Sequence, residues 1–324
     1  MTQQRKLAVV LIGLLWGLIV GCVVAPEPVL RVGLNVWPGY EPIFLARELG
    51  YFHDSEIRLV EYGSASQVMR AFRNGAIDGA ALTLDEALLL AHDGQQLRVA
   101  TILDISAGGD VVVARPEIAE LRELRGRRIG VESTALGAYM LVRALQSAEL
   151  ARADVEVGPI EASRHIEAYD QGDVDALVTF EPMRSKLLER GARTLFDSTE
   201  IPGEIIDVLV VREDFLRRHP ERVTRLVSGW ARAVDYAAAA PLKAARYMAP
   251  RENLSPEAFL QAMSGLEIPS LEENQRMLSG EGEDIRQNAL RLRDIMLAEG
   301  LLRTAVDPIP LFDSRTVDAA AGRR

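Results

Sequence analysis

Two stretches of this chain, residues 31–104 and 128–197, carry the same residue types in the same order, so the chain is expected to fold as two similar units. In the first stretch Arg31-Val32-Gly33-Leu34 is followed by Ser66, Ala71-Phe72, Gly75-Ala76-Ile77-Asp78, Thr83 and Asp85. The second reads Arg128-Ile129-Gly130-Val131, Ser163, Ala168-Tyr169, Gly172-Asp173-Val174-Asp175, Thr179 and Glu181. The offset stays at 97 from Arg31/Arg128 to Asp78/Asp175 and slips by one at Thr83/Thr179. Unrelated βαβ units also share glycines after strands and alanines in helices, but they seldom hold register over such a length. A weaker echo, Thr101-Ile102-Leu103-Asp104 against Thr194-Leu195-Phe196-Asp197, ends each stretch.

Short apolar runs alternate with amphipathic stretches from residue 30 to about 215, which predicts βα units and a mostly parallel sheet in each lobe of an α/β protein. A further matched pair, Val111–Ala114 and Val208–Val211, flanks the second stretch, and each member is followed by an arginine. These runs are placed to be crossover strands, one leaving the first lobe and one returning, and so to form a two-strand hinge. Gly108-Gly109 suits a hinge or an ordinary turn, and 198–203 is the matching segment on the return. The expected organisation is a first lobe over 30–108, a second over 109–212, a helical return over 213–312 packing on the first lobe, and a flexible tail at 313–324.

The first residues differ from the rest. Arg5 and Lys6 precede an unbroken apolar stretch, Leu7–Val20, built like a signal peptide, and Leu18-Ile19-Val20-Gly21-Cys22 resembles the lipobox of bacterial lipoproteins. Residues 1–21 are therefore expected to be removed, Cys22 to be lipidated, and 22–29 to tether the body to a membrane outside the cytoplasm. An uncleaved anchor helix with an incidental cysteine is the alternative. Without 1–21 the chain carries 35 basic against 47 acidic residues, net −12, a poor balance for nucleic acid. Cys22 is the sole cysteine, so neither a disulfide nor a thiolate metal site is expected.

Trp37-Pro38-Gly39-Tyr40-Glu41-Pro42 through Glu48-Leu49-Gly50-Tyr51-Phe52 resembles the first strand, loop and helix of the SsuA/THI5-like (NMT1-like) periplasmic solute-binding proteins. The likeness continues in Gly75–Gly79, Leu124–Val131, Gly172–Ala176 and Glu181-Pro182, spanning roughly residues 30–230. It implies a type II periplasmic-binding-protein fold that closes around a small solute, an ABC permease as partner and a monomeric receptor. Relatives of this kind serve importers of nitrate, sulfonates, taurine and thiamine-pyrimidine precursors.

In open α/β sheets ligands bind beyond the carboxyl ends of the strands, which here are loops 36–41, 63–66 and 83–85 with their repeat partners 132–137, 161–163 and 179–181. Trp37 and Tyr40 are candidates to enclose a solute or to be core. Ser133 and Thr134, like Ser64, would receive an anionic oxygen at a helix start or simply cap it. Thr83, Ser106 and Thr179 stand at the strand ends. Glu41, Asp85, Asp110, Glu132, Glu181 and Asp207 fall in or beside these loops, with Asp110 and Glu181 the favoured pair, and none has an obvious lysine opposite. That balance predicts a nitrogen-containing solute: an amine, a pyrimidine-like base or a zwitterion. A sulfonate or nitrate receptor is the first alternative, and an enzyme of the THI5 type or a sensor lobe the second. His53, His92, His165 and His219 are scattered and read as solvated or capping, and no phosphate loop or dinucleotide fingerprint occurs, so no catalytic residue, cofactor or metal is expected.

Overall fold

In the computed structural model, residues 28–280 and 285–323 are described; the expected signal peptide, Cys22 and most of the tether lie outside them. Among the described residues eleven strands follow in chain order. β1 (Leu30–Leu34), β2 (Ile57–Glu61), β3 (Gly79–Thr83) and β4 (Leu97–Ser106) precede the first crossing. β5 (Asp110–Ala114), β6 (Arg128–Val131), β7 (Glu156–Pro159), β8 (Ala176–Phe180) and β9 (Arg193–Asp197) precede the second, and β10 (Ile206–Arg212) and β11 (Leu266–Glu267) follow it. They form two sheets, ordered β11-β4-β10-β3-β1-β2 and β7-β6-β8-β5-β9.

The two sheets are built alike. β1 pairs in parallel with β2 and β3, and β6 in parallel with β7 and β8. Into each set one strand is inserted antiparallel: β10 between β3 and β4, β5 between β8 and β9. The matched valine runs are these two strands, so each sheet receives an interior strand from chain that has just crossed from the other lobe. Both faces of such a strand are covered, and accordingly β3, β5 and β8 are buried throughout, with no polar alternation.

The duplication extends to side chains. Arg31 Nε donates to Asp78 at 2.8 Å and its second guanidinium arm reaches the Gly75 carbonyl at 3.2 Å. Arg128 repeats this on Asp175 at 3.3 Å and on Gly172 at 3.0 Å. Gly75 and Gly172 both have positive φ, +69° and +79°, where a side chain would be strained. The arginines after the crossover strands match as well: Arg115 covers the Tyr169 ring and Arg212 the Phe72 ring, at 4.8 and 4.5 Å from the centroids.

The two crossings lie side by side. The Ser106 and Ser198 hydroxyls share a 2.8 Å hydrogen bond, Gly108 N–H donates to Ser198 Oγ at 2.7 Å, and Ser106 N–H to the Ile205 carbonyl at 3.0 Å. A side chain on Gly109 would strike the Trp37 ring at 2.8 Å, so the first crossing also sits tight against the cleft.

Three expectations are corrected. β10 hydrogen-bonds into the first sheet, so the second lobe's sheet ends at Asp197 rather than running to residue 212. His165 is not solvated: it is fully buried, bonded to Thr179 Oγ1 at 2.9 Å and to the Ile160 carbonyl at 3.1 Å. The tail is not frayed, because Arg315–Ala321 forms a helix that packs on the long helix Pro220–Ala239 with Val317 and Ala320 fully buried. Small alanines let the helix approach closely, a use that composition alone conceals. Pro220–Ala239 in turn packs on the first lobe's helix Glu41–Glu48. Val317→Ala should therefore lower stability by on the order of 2 kcal/mol, read as a shift of the urea midpoint at unchanged m-value; a mobile tail would leave the midpoint where it is.

Candidate functional site

Between the sheets a small pocket, a cavity of about 20 Å³, is lined by Asn35, Trp37, Tyr40, Ala65, Thr83 and Glu86 from the first lobe. Asp110, Glu132, Thr134, Leu136 and Phe180 face them from the second, with Asp207 from the return strand. Strand ends place them. β1 runs out into Asn35 and Trp37, Thr83 ends β3, Asp110 opens β5, Glu132 follows β6, and Phe180 closes β8.

Trp37 joins the halves. Its indole N–H donates to Asp104, 3.1 Å to the nearer oxygen, and its ring meets Phe180 edge-on at 5.9 Å. The 3-10 turn Pro38–Tyr40 follows, and the Tyr40 hydroxyl donates to Asp207. Gly39 makes the turn possible, since a Cβ there would lie 1.9 Å from an Asp104 oxygen. Opposite, Thr134 caps the helix Ala135–Ser147, its hydroxyl accepting from Gly137 N–H at 3.1 Å.

The pocket is acidic and buried. Removing a carboxylate from water disfavours its charged form, and burial pushes Asp110 and Glu132 up to about 7. Asp104, behind Trp37, goes to about 8, and Asp85, behind the pocket wall, to about 6, in both cases chiefly by burial. Burial raises Glu86 and Asp207 further, and the carboxylates facing each adds to the effect. Polar satisfaction is incomplete: Asn35 Oδ1, Asp85 Oδ2, Glu86 Oε1 and Asp110 Oδ2 are buried without a hydrogen-bond partner. No lysine or arginine lines the pocket.

Of the residues singled out from the sequence, Trp37, Tyr40, Thr83, Asp110, Glu132, Thr134 and Asp207 meet in this pocket. The others do different work. Glu181 turns to its own helix, Met183–Leu188, accepting from Arg184 at 3.0 Å and from Ser185 N–H at 3.1 Å, and so does not join Asp110. Glu41 forms an ion pair with Arg251 at 3.2 Å and is pushed up to about 8 by burial. Ser64 is the N-cap residue of Ala65–Arg73, but its hydroxyl bonds to Ser66 Oγ instead of a helix amide. Ser106 belongs to the crossings, Thr179 is bonded to His165, Asp85 lies behind the wall, and Ser133 is exposed.

Asn35, Ala65, Glu86, Leu136 and Phe180 were not anticipated. Glu86 had a signal, since Thr83-x-x-Glu86 is a capping box in which Thr83 N–H donates to Glu86 at 3.2 Å. A second, larger cavity of about 380 Å³ shares Asn35 and Phe180 with the first and is lined as well by Lys186 and Arg251. Arg251 is 210 residues from its partner Glu41.

Comparison with known proteins follows this geometry. A profile of the NMT1-like family matches residues 24–251. The chain belongs to the NMT1-like family. This NMT1-like chain is 24% identical over 214 residues to the taurine-binding periplasmic protein of Escherichia coli, an alignment covering 65% of the chain and 66%, just under two thirds, of that protein. The alkanesulfonate-binding protein SsuA of Xanthomonas axonopodis pv. citri, solved with MOPS, superposes with a TM-score of 0.74 at 18% identity, covering 89% of this chain and all but 1% of that one, at 99%. The desulfurization enzyme DSZB shares the architecture too, with a TM-score of 0.67 at 20% identity over 90% of this chain and 99% of its own. The fold is that of two-lobed periplasmic binding proteins, and it also carries an enzyme.

The raised carboxylates set a pH dependence. Below about pH 4 both folded and unfolded chains hold these protons, whereas between about 4 and 7 only the folded chain keeps them, so stability falls as pH rises through that window. His165, held down to about 4 by burial, works the other way between about 4 and 6.5, but it is one group against Glu41, Asp85, Asp104, Asp110 and Glu132. Urea midpoints of the solute-free protein should therefore decline from pH 4.5 to 7.5, and Asp110→Asn should flatten the slope by about one proton. A midpoint that rises over this range would contradict the burial of these groups.

Proposed function

We propose that this chain is an extracytoplasmic receptor of an ABC importer, and that the solute it captures carries positive charge on nitrogen as an amine, a protonated heterocycle or a zwitterion. One observation carries the charge assignment: the pocket shared by the lobes is walled by Glu86, Asp110, Glu132 and Asp207, with no lysine or arginine among its lining residues. Buried carboxylates without partners are costly, and a ligand N–H group directed at Asp110 Oδ2 and Glu86 Oε1 would satisfy them. The cavity of about 20 Å³ has room for little more than a water, so a solute would enter as the lobes part, with Trp37, Tyr40 and Phe180 as apolar walls around it.

Membership of the NMT1-like family, and relatives whose names are those of periplasmic binding proteins, support the receptor role. Lipidation at Cys22 and a tether to residue 29 would keep the body, as a monomer, beside a permease. Closure on the solute would give selectivity because both lobes contribute wall residues. The sulfonate reading draws on the relatives' names and on Thr134 at the start of a helix facing the pocket. A zwitterion such as taurine meets both, its ammonium facing the carboxylates and its sulfonate facing Thr134.

Calorimetric titration of the body from Cys22 onward should give binding with amine-bearing solutes, among them alkylamines, aminopyrimidines and taurine, and none with nitrate or methanesulfonate. Affinity for the amine should weaken about tenfold per unit once pH falls below about 7, because Asp110 must lose its proton to pair with the ligand. Trp37→Ala should weaken it by about 1–3 kcal/mol, in the range of a buried aromatic anchor. Binding confined to nitrate and methanesulfonate would reject the charge assignment, and product formation without stable binding would reject the receptor.

A further inference from the structure

One carboxylate reaches across the cleft to a place where an anion would otherwise rest. The helix Ala65–Arg73 of the first lobe points its N-terminus at the gap, and its own cap residue, Ser64, makes no side-chain bond to the helix amides. Amides at a helix start have no partner within the helix and readily accept a carboxylate, a sulfonate or a phosphate. Here Ser66 N–H donates to Glu132 Oε1 at 3.2 Å, from a residue of the opposite lobe. The amides of Ser66 and Ala65 both stabilise that carboxylate against the effect of burial. Glu161 of the same lobe takes the Ser66 hydroxyl at 3.0 Å but not the amide.

The duplication makes this contact informative. Glu132 occupies the repeat position of Asn35, 97 residues earlier. The Asn35 side chain donates only to the neighbouring Val36 carbonyl at 3.3 Å and leaves Oδ1 without a partner. Two related loops therefore end differently, and only the second sends an acceptor over to the facing helix. Fold geometry alone does not demand it.

We infer that Glu132 determines the sign of charge this cleft accepts: its carboxylate fills the anion-receiving start of the Ala65–Arg73 helix and turns that end of the pocket against anionic groups. This rests on the reading that the cleft binds solute, but not on the solute being an amine. With Glu132 in place and ionised, a sulfonate approaching Ser66 meets a like charge instead of free amides. Without it the same amides are open to the anion.

Glu132→Ala and Glu132→Gln test this, with Glu161→Gln as the comparison and methanesulfonate and taurine as probes, measured by calorimetry. Glu132→Ala should bind methanesulfonate measurably, with an affinity at least tenfold above the detection limit under which the parent chain shows none. Glu132→Gln, which keeps an acceptor oxygen but loses the charge, should gain less, and Glu161→Gln should gain nothing. Because Glu132→Gln is isosteric, it carries the test if the alanine variant fails to fold. The inference is overturned if folded Glu132 variants show no gain for methanesulfonate, if all probes weaken alike as for a simple closing latch, or if Glu161→Gln gains as much. Should the parent chain bind no amine while Glu132→Ala gains methanesulfonate, the amine reading falls and this inference stands.

Discussion

Everything in this molecule depends on an exchange of strands: each sheet holds an interior strand that enters directly from the other lobe. β5 follows directly from the first lobe's edge and β10 from the second's, so the second sheet forms after one crossing and the first closes only after the chain has crossed twice. The crossings are short and bonded to one another through Ser106 and Ser198, which holds the two lobes as neighbours. A gap between two facing sets of strand ends follows from this connectivity. It lies where loops and helix starts present their unpaired polar groups.

Into that gap the chain places carboxylates at a considerable desolvation cost. Some are stabilised by the scaffold: Asp104 by the Trp37 indole, Asp207 by the Tyr40 hydroxyl, Glu132 by the amides of the facing helix. Asp110 and Glu86 each keep one oxygen without a partner. A core optimised for stability alone would replace such groups with apolar ones, so these carboxylates are not accounted for by packing. The aromatic contact between Trp37 and Phe180 links the same two lobes, placing apolar enclosure and acidic recognition within one small volume.

The distribution of positive charge completes the design. Arg184 is held by Glu181, Arg251 by Glu41 and Glu61, and Lys186 donates to the Glu252 carbonyl at 2.7 Å. These cations have partners of their own and line no part of the smaller pocket, whose wall is acidic. Architecture shared with sulfonate-binding proteins thus need not entail their charge preference, because the fold fixes where strand ends meet while the side chains at those ends set the chemistry.

The sequence by itself determined the duplication, the crossover strands and the loops that face the gap. These are matters of spacing and hydrophobic period, and the Arg31–Asp78 and Arg128–Asp175 pairs show how literally the register was kept. Only the tertiary structure decided which polar side chains point inward. Glu181 lay as close to the cleft in sequence as Asp110, yet a helix start and Arg184 four residues or fewer away claimed it. Glu41 was claimed by Arg251 from 210 residues away, and a tail that reads as polar became a packed helix because a long helix offered its face. A side chain's direction is settled by competition among partners brought together only after folding, and that competition leaves no period or spacing in the chain to be read beforehand.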